Sequence, residues 1–405
     1  MKPNLLFLCH RIPYPPNKGD KIRVYHLLKY LADHYTIYLG TFIDDPSDWK
    51  YVGNVEAFCA KSCFIKLDPL SAKIKCIKGF FTGKPLTLPY YENHELQQWI
   101  NSVVREHHID KVLAVSAVMA QFLTDPSLGL NTKIIDIVDI DSDKWQQYSD
   151  MKMWPLSWVY RREARTLLSY EKQVADFFDI SFFVSSAEAE LFKKKALGLE
   201  HKITFYNNGV DSEYFTLLNI CSSPYPKNIL PIVFTGAMDY WPNIDAVNWF
   251  AKKVMPELKK ILPDICFYIV GSNPSEQVRQ LQKTGEVDVI GRVEDIRPYI
   301  HHAMASVAPM RIARGIQNKV LEAMAMEKTV VVSTMGLEGI NAESGTEIIL
   351  ADSVEEYVKE INAIVQGKYQ SMGSTARKRV QADFNWSETL PIVKTLLEKD
   401  FGGNV

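Results

Sequence analysis

Short apolar runs alternate along most of the chain with longer stretches in which apolar residues recur every three or four positions. Leu5–Cys9 is the first run, Pro13, Pro15 and Pro16 end it, and Asp20 then precedes Ile22, Val24, Leu27, Leu28 and Leu31. That order predicts strand, loop and helix. The pattern recurs as strand 36–42, helix 95–106, strands 112–115 and 134–138, a long helix within 156–175, strand 180–184, helix 187–195 and strand 202–206. Strands separated by helical stretches predict a parallel sheet with crossover helices.

The pattern lapses at 219–231, where NICSSPYPKNILP carries three prolines and no period. This is the expected linker. A second alternation follows: strand 232–235, helix 246–260, strand 266–270, helix 275–283, strand 287–290, helix 296–301, strand 305–308, helix 318–326 and strand 329–333. The fold class expected is therefore α/β, with two Rossmann-like doubly wound domains facing a central cleft. The expected boundaries are 1–218, 219–380 and a final stretch, 381–405, whose helix crosses back to the first domain. Ligands of open parallel sheets sit beyond the carboxyl ends of the strands, so the cleft is the expected site.

Composition narrows the classes. A chain of 405 residues exceeds one ordinary core, and 47% hydrophobic residues can fill two. The net charge of −2 removes the global electrostatic reason to expect a nucleic-acid partner. Six cysteines without paired spacing suggest a reduced, cytoplasmic chain without structural zinc. The apolar run near the start is too short for an export signal, and the longest uncharged apolar run, 112–124, falls short of a membrane span. A cytoplasmic protein, soluble or peripheral on a membrane face, is expected.

Two loops carry candidate chemistry. PYPPNKGDKIRVYHLL opens a helix at Gly19, where backbone amides can approach an anion, although Asp20 also caps a plain turn. APMRIARGIQNKVLEAMAMEKTVVVS, residues 308–333, leads through Arg311, Arg314 and Gly315 into a helix bearing Lys319 and Glu322. Helix-end amides with Lys and Arg can hold a diphosphate, and Glu322 can accept both hydroxyls of a ribose. The same residues also describe an amphipathic helix with a solvated Lys and Glu.

The Glu-Ala-Met-Ala helix with its Val-Val-Val-Ser strand, VGSNP (270–274), VIGRV (289–293) and YNNGVD (206–211) together resemble the family 4 glycosyltransferases of GT-B fold. CHRIPYPPNKGDKIR, DIVDIDSDKW, GAMDYWPNIDAV and RIARGIQNKVLEAMAM are most similar to sugar transferases associated with PEP-CTERM/exosortase exopolysaccharide loci. The resemblance implies transfer of a sugar from a nucleotide-diphosphate donor to a glycan or lipid-linked acceptor, with retention at the anomeric carbon and no metal or cofactor. It further implies that Glu322, second in the family's E-x7-E motif, holds the ribose, that Arg292 and Val293 flank the base, and that Gly19 lies near the transferred sugar.

The departures matter equally. Arg314 stands where the first Glu of that motif would be, and no cation occurs in 236–243. Lys319, Arg314 and Arg292 are the expected substitutes around the phosphates. The donor set comprises Gly19, Gly236, Gly271, Arg292, Val293, Gly315, Ile316, Gln317, Asn318, Lys319 and Glu322. Asp139, Asp141, Lys319 and Arg314 are the catalytic candidates, and His10, Asp20, Asp139, Asp141 and Lys144 the acceptor-side ones. Asp139, Asp141 and Asp143 imitate a metal-binding D-x-D, but the resemblance implies a metal-free site. The basic and aromatic stretches 61–84 and 152–172 make an anionic membrane surface a further candidate partner. A nucleotide-sugar epimerase of the same fold and a non-catalytic glycan-binding or assembly subunit are the competing readings.

Overall fold

The apolar runs become parallel strands buried on both faces, which is why they read as continuous rather than alternating. The computed structural model describes residues 2–16, 19–151, 153–218, 220–313 and 315–401, and omits the side chains of residues 20, 73, 77, 78, 81, 82 and 151. The chain divides into two units, Met1–Tyr206 with Leu390–Val405, and Asn207–Thr389.

The first unit is built on seven strands: β1 (Asn4–Cys9), β2 (Thr36–Ile43), β3 (Lys61–Lys66), β4 (Lys111–Val115), β5 (Thr132–Val138), β6 (Ile180–Phe183) and β7 (Ile203–Phe205). Their order is β3-β2-β1-β4-β5-β6-β7, and every pairing is parallel. The winding reverses between β1 and β4, so the loops after these strands diverge there. Leu6, Leu8, Val112 and Ile135 pack against Leu96, Ile100 and Val103 of helix His94–Glu106. Gly40 permits that approach, because a Cβ would lie 2.8 Å from Leu8 and 3.0 Å from Leu96.

In the second unit β8 (Leu230–Thr235), β9 (Ile265–Val270), β10 (Val287–Gly291), β11 (Ala305–Ala308), β12 (Val330–Val332) and β13 (Ile349–Leu350) take the order β10-β9-β8-β11-β12-β13. The reversal falls between β8 and β11. Both units therefore wind alike, as Rossmann-like α/β layers.

Several details depart from the sequence pattern. The stretch 61–84 holds edge strand β3 followed by helix Pro69–Thr82, capped by Asp68. The helix expected from 246 begins at Trp241, with Pro242 in its first turn, where the missing N–H costs nothing. Helix Val354–Val365, missed by the pattern, opens on a capping box of Ser353 and Glu356.

The change of unit comes at 206/207, ahead of the proline-rich stretch 219–231. Val210 N already donates to Phe384 O (2.7 Å), and Gly209 lies so close to Trp386 that a Cβ would come within 2.6 Å. The second unit also runs on to Thr389, and helix Pro391–Glu398 belongs to the first, where Lys111 Nζ donates to Leu397 O (2.9 Å).

Candidate functional site

In the second unit the strand ends are lined by glycine. Gly236, Gly271 and Gly291 terminate β8, β9 and β10, each at positive φ. Gly236 N donates to Val270 O and Gly271 N to Gly291 O, so the three ends are laced together. A Cβ on Gly271 would lie 1.6 Å from Gly236 O, which no relaxation of a side chain can relieve. The resulting floor is bare backbone, open to close approach by a ligand.

Lys319 reaches over this floor from helix Asn318–Ala325, which follows β11. Its ammonium donates to Asn243 Oδ1 (2.8 Å) and Gln317 Oε1 (3.3 Å), lies 3.9 Å from Met310 Sδ and sits 5.0 Å from the Phe234 ring centre. Asn243 is aimed by donating its own amide to Ala237 O (2.8 Å), and Gln317 by donating to Gly315 O (3.1 Å). Burial pushes the Lys319 pKa down to about 8, with Glu322 acting against the fall. Burial likewise pushes Glu322 up to about 7, with Lys319 opposing. A cation whose hydrogen-bond partners are neutral, above exposed backbone at a topological switch, suits a phosphate-bearing ligand.

Other expected donor residues surround this centre. Gly315 is buried at φ 64°, Ile316 packs beneath Gly339, and Asn318 accepts from Asn208 Nδ2 (3.4 Å). Val293 is half-buried in a small cluster with Val233 and Val270, and Arg292 beside it is exposed. Arg314 lies outside the described residues. Asn243, Met310 and Phe234 were not singled out by the sequence, because neutral side chains give no charge signal.

The acceptor-side candidates lie in the first unit, at the ends of β1 and β5. His10 meets the Tyr91 ring edge-on (6.1 Å), and Arg11 pairs with Asp44 (2.9 Å). Asp139 and Asp141 share one cation, Lys144 Nζ, at 2.9 and 3.2 Å. Burial opposes the charge of Lys144, but the two carboxylates outweigh it and hold the ammonium protonated well above the usual lysine range. Ser142 donates its N–H (3.0 Å) and hydroxyl (2.5 Å) to buried Glu171, whose pKa burial pushes up to about 8. Gly19 begins the helix Gly19–Ala32, and the side chain of Asp20 lies outside the described residues.

Behind this loop Arg23 is fully buried. It grips Asp136 at 2.7 and 3.1 Å, donates to the Tyr206 and Phe183 carbonyls, and lies 3.5 Å over the Tyr206 ring, whose hydroxyl donates to Asp136 (2.5 Å). Among the described residues no group of three or more His, Cys, Asp or Glu side chains could hold a metal ion.

Residues 230–367 match the sequence profile of the family described as "Glycosyl transferases group 1". A protein of Klebsiella pneumoniae, described as an uncharacterized 44.6 kDa protein in the cps region, is 21% identical over 366 residues, covering 86% of this chain and 87% of that protein. Anabaena Alr3699/HepE, solved in complex with UDP, superposes with a TM-score of 0.67 at 15% identity, over 97% of this chain and 99% of that one. Sucrose-phosphate synthase from Thermosynechococcus elongatus gives 0.70 at 16% identity, over 97% and 98%. A glycosyltransferase from Rickettsia africae gives 0.65 at 14%, over 98% and 100%. The two Rossmann-like units are those of the GT-B fold, and the second carries the glycosyl transferase group 1 match over residues 230–367.

Proposed function

We propose that the protein transfers a sugar from a nucleotide-diphosphate donor to a glycan or lipid-linked acceptor in the assembly of an exopolysaccharide or other surface glycan. The observation that carries this is Lys319, held over a glycine floor by Asn243 and Gln317. As the bond between the anomeric carbon and the diphosphate breaks, its electron pair leaves with the nucleoside diphosphate. A preorganised ammonium and strand-end amides lower the energy of that developing charge. The acceptor hydroxyl oxygen supplies the electron pair of the new bond to that carbon, and its proton passes to the departing diphosphate oxygen. Glu322 is assigned to the ribose hydroxyls, Arg292 and Val293 to the base, and Arg314 to the phosphates alongside Lys319. Asp139 and Asp141, with Lys144 between them, are assigned to acceptor hydroxyls.

HepE from Anabaena has been solved with UDP and with UDP-glucose, which favours UDP as the first nucleotide to try. The Klebsiella relative from a cps region supports a polysaccharide setting, as do the motifs resembling PEP-CTERM/exosortase-associated transferases. Retention of configuration, independence of metals and cofactors, and attachment to an anionic membrane face complete the proposal. The test is calorimetry with UDP on the wild type and on Glu322→Gln, followed by turnover of a UDP-sugar panel with NMR of the product anomer. Micromolar UDP binding that weakens in Glu322→Gln without a fall in melting temperature is expected. Absence of binding by any nucleoside diphosphate would overturn the reading.

A further inference from the structure

The loop that leaves the glycine floor after β8 ends in two adjacent aromatic residues, Tyr240 and Trp241, which are 48% and 45% exposed. Folding ordinarily covers more of rings this large. The loop beneath them is firmly tied: Met238 is fully buried, its N–H donates to Ser272 O (2.7 Å), and its carbonyl accepts from Ser275 N (3.3 Å). Tyr240 O accepts from Asn243 N (3.0 Å) and Ile244 N (3.1 Å), which starts helix Trp241–Trp249. Asp239 accepts from the amide of Asn273 (3.1 Å), a residue held at φ 53° in the loop after β9. The two rings are therefore presented by a set backbone.

This backbone belongs to the Lys319 centre. Asn243, two residues past Trp241, is the group that accepts from Lys319 Nζ (2.8 Å), and a Cβ on Gly236, where the loop begins, would lie 3.3 Å from Lys319 Cε. Sheet order separates the pair from the proposed base subsite: Arg292 and Val293 follow edge strand β10, whereas Tyr240 and Trp241 follow β8, which pairs with β11, the strand that leads to Lys319. A ring stacked here lies on the phosphate side of the nucleotide. Charge then selects the ring. Asp239 is the one charged side chain in 236–243, and Arg311, in the loop after β11, already spends its guanidinium on both oxygens of Asp245 (3.0 and 3.2 Å). The C–H face of a pyranose carries the small positive charge that an aromatic face attracts, and a carboxylate at the edge accepts from ring hydroxyls but repels an acidic sugar.

We propose that Tyr240 and Trp241 are the stacking platform for the sugar of the nucleotide-sugar donor, that Asp239 serves its hydroxyls, and that this sugar is a neutral hexopyranose. The inference rests on the donor reading above and adds to it the residues that choose the sugar. It divides the donor between two kinds of contact: Lys319 and the glycine floor hold the diphosphate, common to every nucleotide sugar, and the aromatic pair holds the part that differs.

The experiment is calorimetry of the full chain with UDP, UDP-glucose, UDP-galactose and UDP-glucuronate, the affinity for UDP serving as the internal reference. Trp241→Ala should weaken the better-bound UDP-hexose roughly tenfold, as the loss of a stacked ring does, while changing UDP by less than about twofold. Tyr240→Ala should act in the same direction, Trp241→Phe should restore most of the loss, and all three should melt with the wild type. UDP-glucuronate should bind the wild type more weakly than either hexose. Equal losses for UDP and UDP-hexose, or no loss for either, would overturn the platform and leave the donor reading standing. Glucuronate preferred over both hexoses would overturn the neutral class. Absence of binding by any nucleoside diphosphate would sink the donor reading and the platform together.

Discussion

The two units wind their sheets alike, yet the buried cations at their strand ends are held differently, although exposed Arg311 of the second unit also pairs with Asp245 (3.0 Å). In the first unit the cations after the strands are paired with acids: Arg23 with Asp136, Lys144 with Asp139 and Asp141, Arg11 with Asp44, and buried Lys21 with Asp48 at 2.6 Å. In the second, Lys319 is hydrogen-bonded to an amide oxygen on either side and stands over backbone. A charge bound by a counter-charge fixes shape. A charge bound by neutral dipoles retains its field for an incoming anion. The same architecture thus pairs its cations with acids in one unit and, in the other, holds Lys319 among neutral partners, as the proposed binding of a phosphate-bearing donor requires.

Breaking the first unit's ion pairs should produce the largest effect. Asp136→Asn leaves Arg23 buried without its counter-charge, and removing one partner of such a pair costs about 3–5 kcal/mol. We expect the melting temperature to fall by about 10 °C, at roughly 2–4 °C per kcal/mol for a unit of this size. An unchanged melting temperature would show that the Arg23 network contributes little. Removing Lys319 instead should leave stability nearly intact. Lys319→Ala should weaken UDP binding by about 10- to 150-fold, the worth of a charge-assisted hydrogen bond of 1.5–3 kcal/mol. Wild-type affinity in this variant would remove Lys319 from the phosphates.

The contrast sharpens with pH. The Lys319 ammonium is lost above about 8, and Glu322 becomes an acceptor-only carboxylate above about 7. UDP affinity should therefore peak between these values, and Lys319→Ala should flatten the alkaline limb, as read by calorimetry from pH 6 to 9. Stability should respond to Glu171 instead. Its folded pKa, about 8, lies above its unfolded value, so its contribution is complete below the unfolded pKa and is lost as pH rises through the folded one. Melting temperature should fall from pH 6 to pH 9, and Glu171→Gln should flatten that fall.

The sequence made the sheets legible because parallel strands are written as unbroken apolar runs, as in β1 (NLLFLC) and β9 (ICFYIV). It also isolated Lys319 and Glu322, since charged residues in a helix after a strand are conspicuous. It did not disclose Asn243, which reads as an ordinary loop residue in DYWPN until the fold sets its amide 2.8 Å from Lys319. Nor did it disclose Arg23 and Asp136, distant in sequence and joined only by the stacking of β1, β4, β5 and β6. The stretch 61–84 read as basic and aromatic, and only the three-dimensional arrangement separated its strand from the exposed helix beside Trp158.

The smallest expected effect concerns metal. Asp139 and Asp141 have the spacing of a metal-binding pair, but both carboxylates already bond one ammonium, Lys144 Nζ. A divalent ion would have to displace that cation and bind carboxylates whose field it largely cancels, with no third acidic ligand grouped there among the described residues. On the donor side the proposed neutralisation of the leaving diphosphate falls to Lys319 and its neighbours. Millimolar EDTA should accordingly change turnover by less than twofold, once a competent donor and acceptor are found. Loss of activity that Mg²⁺ or Mn²⁺ restores would reverse the assignment. Asp139→Asn would then place the ion: abolished metal dependence would put it on the first unit's loop, and unaltered dependence would put it with the donor phosphates.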